Sequence, residues 1–127
     1  GARGLADKEL TALSTGEQRR CLLARALVND PRAMLFDEPT ASLDLRAAFE
    51  LVGLLRRLMQ QGRTLVLVTH DLRDIAPEIH RVVLLREGTV LADGPPAETL
   101  TSERLSELYG CPLRVATAEG WYRAVPG

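Results

Sequence analysis

Two adjacent carboxylates, Asp37 and Glu38, close the apolar run AMLF at 33–36 and are followed at once by Pro39. Four uncharged residues fit a strand buried on both faces of a parallel sheet, although so short a run also suits a helix. The proline favours the strand, because it disfavours the α conformation at Glu38 and predicts that Asp37 and Glu38 leave the strand extended. Successive side chains of an extended segment point to opposite sides, so one carboxylate can face a metal while the other faces a water. A second candidate is His70, at the end of the apolar run TLVLVT at 64–69. A third is the stretch Ser14-Thr15-Gly16-Glu17, where a serine precedes a glutamate by three positions ahead of Cys21, Leu22, Ala24, Leu27 and Val28. That spacing is a capping box opening a helix, and capping alone explains Ser14. The same helix N-terminus, with its free N–H groups and a neighbouring glycine, also suits a phosphate.

These residues need elements to bring them together. The first helix closes at Asn29-Asp30-Pro31, the strand carrying Asp37 follows, and Ser42 or Asp44 can cap a second helix of about four turns. Its expected inner face is Leu45, Ala48, Val52, Leu55 and Met59, with Arg46, Glu50, Arg56, Arg57 and Gln60 turned away, and Gly62 is a natural stop. Thr64–Thr69 is then a second buried strand. A strand, a helix and a strand in this order form a right-handed βαβ unit, which delivers His70 to the sheet edge that holds Asp37 and Glu38. Ligands of open α/β sheets sit at that edge.

Beyond His70, Asp71–Ile79 reads as one or two helical turns broken at Pro77. Arg81–Arg86 and Thr89–Ala92 read as an antiparallel edge hairpin turning at Glu87-Gly88. Asp93-Gly94-Pro95-Pro96 is a turn, Ala97–Leu100 and Ser102–Tyr109 are short helices, and Leu113–Val125 is a hairpin around Glu119-Gly120. Trp121 and Tyr122 read as packing residues and His80 as a surface residue. Residues 1–12, with a short segment at Glu9–Ala12, are too irregular to assign.

Composition bounds the function. A chain of 127 residues, 46% hydrophobic and with a net charge of −1, has about one domain's length and the profile of a soluble globular protein. Its charge points neither to nucleic acid nor to a polybasic membrane patch. Cys21 and Cys111 are too few and too far apart for a zinc site or a disulfide framework, which predicts reduced thiols in a cytosolic compartment. No signal peptide and no apolar run near the ~20 residues of a spanning helix is visible. Without an initiator methionine, the chain reads as the later part of something longer.

Taken in order, four stretches resemble the ATP-binding-cassette ATPases: LSTGEQRR at 13–20 is similar to the signature motif, MLFDEP at 34–39 to the Walker B strand, ASLD at 41–44 to the D-loop, and VTHD at 68–71 to the switch-histidine segment. REGTVLADGPPAETL, beginning at Arg86, resembles the stretch that follows in many such subunits, and the ending is similar to that of importers of the iron, siderophore and cobalamin type. The resemblance implies a P-loop-type α/β fold, with 1–127 as the C-terminal part of one ATPase domain, and a cofactor set of ATP and Mg²⁺. It implies that Asp37 serves the metal through water, Glu38 polarises the attacking water and His70 contacts the γ-phosphate. Ser14, Thr15, Gly16 and Gln18 would meet a nucleotide held by a second ATPase subunit, with Asp44 organising the dimer interface.

The implied protein is a transporter ATPase on the inner, cytoplasmic face of the membrane, partnered by transmembrane permease subunits and not by nucleic acid. A soluble cassette ATPase working on DNA or ribosomes, or an inactive interaction module, are the alternatives. Two departures stand out: Thr15 replaces a usual glycine and Arg19 a usual glutamine. No G-x-x-x-x-G-K-[ST] phosphate loop occurs in these residues, so half of each ATP site's chemistry is expected upstream.

Overall fold

The structure, a computed structural model, describes residues 14–127. The expectations for residues 1–12, and Leu13 of the signature-like stretch, lie outside the described residues. The chain divides into two compact units, the first ending at His70 and the second running from Asp71 to Gly127.

The first unit runs α1 (Thr15–Leu27), β1 (Ala33–Asp37), α2 (Leu45–Gln60) and β2 (Thr64–Val68). Helix α1 starts where the capping box predicts: Ser14 Oγ accepts from the Glu17 N–H at 3.3 Å, and the Glu17 carboxylate accepts from the Ser14 N–H at 2.8 Å. Of the two candidate caps for α2, Asp44 is the one used, its carboxylate accepting from the Ala47 N–H at 2.9 Å. Ser42 cannot serve. Its φ of 64° is left-handed, whereas an N-cap needs the extended backbone that Asp44 has, with φ −64° and ψ 163°.

Strands β1 and β2 pair in parallel, from Ala33 opposite Thr64 to Asp37 opposite Val68. Paired residues of a parallel ladder share a face, so Met34, Phe36, Leu65 and Leu67 all turn toward a cluster formed by Leu23 of α1 and Leu51, Leu55 and Leu58 of α2. Within this unit only one face of the expected two-sided burial is covered. Leu35 is 71% exposed, Val66 53% and Val68 51%, because α1 and α2 lie on the other face. The buried arc of α2 also differs from the predicted stripe: Leu51, Val52, Leu55 and Leu58 are inside, while Leu45 is exposed. A single sheet face below the helix selects that arc, and the sequence offers apolar residues to either side of it.

The second unit opens with a single 3₁₀ turn, Leu72–Asp74, which is capped by Asp71 and ends before Pro77 as expected. It continues through β3 (Val82–Arg86), β4 (Thr89–Gly94), α3 (Pro96–Thr99), α4 (Ser102–Tyr109), β5 (Leu113–Ala118) and β6 (Trp121–Pro126). Both hairpins turn where left-handed residues allow it, Glu87-Gly88 at φ 50° and 77° and Glu119-Gly120 at φ 52° and 81°. Two successive positive φ values are the signature of the tight turn that matches strand twist. The β3–β4 hairpin corrects a second expectation. Among the described residues it is a sheet of its own and not an edge of β1–β2. Its inward residues Leu84 and Ala92 close a separate core with Ile75, Leu100 and Leu105, against which Leu113, Val115 and Tyr122 pack.

Candidate active site

The first unit assembles its chemistry at the carboxyl end of β1 and β2. Asp37 is the last residue of β1 and is exposed. The next residue extends the ladder by one bond, the Glu38 N–H donating to Val68 O at 2.8 Å. There the extended path stops. Glu38 has φ +46°, so the expectation that both carboxylates leave the strand extended is met by Asp37 and overturned at Glu38. Pro39 does exclude the right-handed α region for its neighbour, but the chain escapes into the left-handed region, where a non-glycine residue costs roughly 1–3 kcal/mol. The reward is a turn: the Ala41 N–H donates to Glu38 O at 3.2 Å and the Leu43 N–H to Thr40 O at 3.1 Å, with Pro39 buried beneath.

The turn delivers the Glu38 side chain to His70, whose Nδ1 lies 2.7 Å from Glu38 Oε1. The right-handed crossover expected from the sequence therefore brings these two residues to one edge. A carboxylate without its proton can only accept, so in this contact His70 Nδ1–H donates to Glu38 Oε1. His70 is largely solvent-accessible and Glu38 half-buried, which leaves the pair reachable from outside.

The remaining predicted site residues lie elsewhere in this unit. Ser14 and Thr15 are exposed at the open end of α1, with Ser14 engaged in its own capping box. Gly16 is there for space, since a Cβ on it would stand 3.2 Å from Ala47 Cβ, and so the first turns of α1 and α2 touch. Gln18 is half-buried, and its N–H completes the first helical bond to Ser14 O at 2.9 Å. Asp44 is occupied in capping α2. Arg19, in sequence only a departure from the family pattern, donates through Nη2 to Ala41 O at 3.2 Å, reaching from α1 into the turn behind Glu38. The signal was the departure itself: a longer, charged donor in a helix beside that loop.

As to metal, no group of three or more His, Cys, Asp or Glu side chains among the described residues forms a cage. Asp37, exposed at the end of β1, could offer one carboxylate to a hard divalent cation, whose other ligands would be water and phosphate oxygens. An exposed acid at a strand end and a carboxylate–imidazole pair beside it are suited to phosphoryl transfer, which asks for charge neutralisation and an oriented water.

Residues 6–73 match the AAA-domain family model, whose description also names the AbiEii toxin of type IV toxin–antitoxin systems. The chain is 44% identical over 110 residues to the hemin import ATP-binding protein HmuV of Rhodococcus jostii, covering 87% of this chain and 38% of that protein. It is 52% identical over 88 residues to the macrolide export ATP-binding/permease protein MacB 1/2 of Paracoccus denitrificans, covering 67% of this chain and 13% of that one. Among solved structures, a metal-chelate type ABC transporter in an inward-facing conformation aligns with a TM-score of 0.84 at 30% identity, over 98% of this chain and 51% of its own. The chain thus spans well under two thirds of each of these three proteins.

Proposed function

We propose that this chain, which belongs to the ATP-binding-cassette ATPases, is the C-terminal part of the ATPase domain of a membrane transporter, hydrolysing ATP in a protein that carries the phosphate loop upstream. The observation that carries the reading is the Glu38–His70 contact of 2.7 Å at the end of the parallel strand pair. Glu38 takes the proton of the attacking water as its oxygen bonds to the γ-phosphorus and ADP leaves. His70, oriented by Glu38, meets the γ-phosphate as charge shifts onto the leaving group. Asp37 would hold Mg²⁺, which would supply charge neutralisation for the phosphates. Ser14, Thr15, Gly16 and Gln18, at the N-terminus of α1, serve a nucleotide bound by a second subunit, with Asp44 at the interface. In this reading the subunit lies at the cytoplasmic face and docks on permease subunits.

The cargo we favour is a metal chelate moving inward. The likeness to the hemin import protein covers 87% of the chain and that to the macrolide export protein 67%, and the aligned structure is of metal-chelate type. The test is Glu38→Gln in the full-length protein. The substitution keeps shape and removes the proton acceptor, so kcat should fall by about 10² to 10⁴-fold while ATP binding survives. Hydrolysis at the normal rate would remove the assignment.

A further inference from the structure

The departure at position 19 makes contacts that lead to the catalytic carboxylate. Arg19 lies on the face of α1 that meets α2, in line with Gly16, which touches Ala47, and Leu23, which is buried among Leu51, Leu55 and Leu58. Its neighbour Arg20 is ion-paired with Glu50 of α2, so this face is anchored independently of Arg19. The Arg19 guanidinium, half-buried, donates to Ala41 O at 3.2 Å, and the N–H of that same Ala41 donates to Glu38 O at 3.2 Å. One peptide unit away from Arg19 is therefore the turn that holds Glu38 at φ +46°. A left-handed non-glycine residue ahead of proline persists only where its surroundings hold it.

We propose that Arg19 is a positioning residue for Glu38: by holding the Ala41 carbonyl it fixes the turn at 38–41 and keeps the Glu38 carboxylate on His70. Resting as it does on the hydrolytic reading above, the assignment makes α1 and the catalytic turn a single mechanical piece. Whatever the N-terminus of α1 contacts is then felt at Glu38. A charged donor on a partly buried carbonyl is among the stronger hydrogen bonds, and a second donor of similar reach can replace it in part.

The test compares Arg19→Ala and Arg19→Lys in the full-length protein with Arg25→Ala, an exposed residue of the last turn of α1, as control. Arg19→Ala should lower kcat by about tenfold with KM for MgATP within about twofold. Arg19→Lys should recover most of that loss and Arg25→Ala should change nothing. In the full-length protein, ¹⁵N–¹H correlation of the imidazoles should show His70 with its proton on Nδ1, shifted toward Nε2–H in Arg19→Ala, with His80 as the unchanged reference. A normal kcat in Arg19→Ala would overturn the inference, and so would a loss that follows the melting temperature and is not recovered by lysine. Glu38→Gln assayed beside them separates the two claims: if it hydrolyses normally the function reading fails, whereas if it is dead and Arg19→Ala is normal only the role of Arg19 fails.

Discussion

The two units solve the problem of building a core in opposite ways. In the first, β1 and β2 are joined only through α2, so that Ala33 meets Thr64 and the sheet exists only once a long crossover has closed. In the second, β3 pairs with β4 and β5 with β6, each across a two-residue turn. Both units leave apolar strand residues exposed, Leu35, Val66 and Val68 in the first and Val83, Leu85 and Val90 in the second, but only the first gathers Asp37, Glu38 and His70 at one sheet edge, while the second encloses Leu84, Ala92, Leu100 and Leu105 in its core. Distant pairing brings residues remote in sequence to one point, as with Glu38 and His70, and chemistry needs that. Local pairing makes a stable piece with less to converge.

The contrast can be broken from both sides. Leu55 and Leu105 are each 1% exposed, one at the heart of each core. Leu55→Ala should cost about 2–5 kcal/mol and Leu105→Ala a similar amount. Hydrogen exchange resolved by residue should then show each substitution releasing the amides of its own unit first. Uniform release of both units by either one would mean that the units do not differ as described.

A smaller effect is expected at the hairpin turn of the second unit. Gly120 sits at φ 81°, and a Cβ there would stand 2.9 Å from Pro77 Cβ. Gly120→Ala should cost about 1–2 kcal/mol for the left-handed backbone alone, and more for the overlap. Urea unfolding followed by the fluorescence of Trp121 would measure it.

In the first unit, Asp44→Ala removes the cap of α2 and should cost about 1 kcal/mol. Asp44→Ser, which caps as well, should restore the melting temperature. If the residue also serves a dimer interface, the serine variant will regain stability without regaining hydrolysis.

The least effect belongs to the Arg81–Asp93 pair at the foot of β3 and β4, bidentate at 2.8 Å and exposed. The hydrogen bond from Arg81 holds the Asp93 carboxyl below its ordinary value of 3.8. A depressed folded value means that the contribution is complete above about pH 3.8 and is lost as pH falls through the folded value. Asp93→Asn should therefore flatten the acid limb of the unfolding curve slightly and leave neutral stability nearly unchanged, as surface pairs do.

Much of the fold that carries the candidate site was legible because its determinants are local in sequence. Ser14 and Glu17 announce the start of α1, Gly62 the end of α2, and Glu119-Gly120 a hairpin, each through chemistry confined to a few neighbouring residues. The order of strand, helix and strand also sufficed to put His70 beside Glu38, since the handedness of the crossover leaves one choice. What the sequence could not decide was decided by distant partners. Pro39 forbids one region to Glu38 but does not choose between the two that remain, and the choice of the left-handed one comes with the bonds to Val68 and Ala41. Ser42 and Asp44 are equal as caps until the turn makes Ser42 left-handed. Periodicity on α2 offers apolar residues over a wide arc, and only the one sheet face below it selects Leu51, Leu55 and Leu58. Arg19 is one more charged residue of a helix in the sequence, and its reach to Ala41, 22 residues away, exists only once α1 and the turn are side by side. Short-range patterns carry their own energetics in the sequence, while backbone states held by tertiary hydrogen bonds do not.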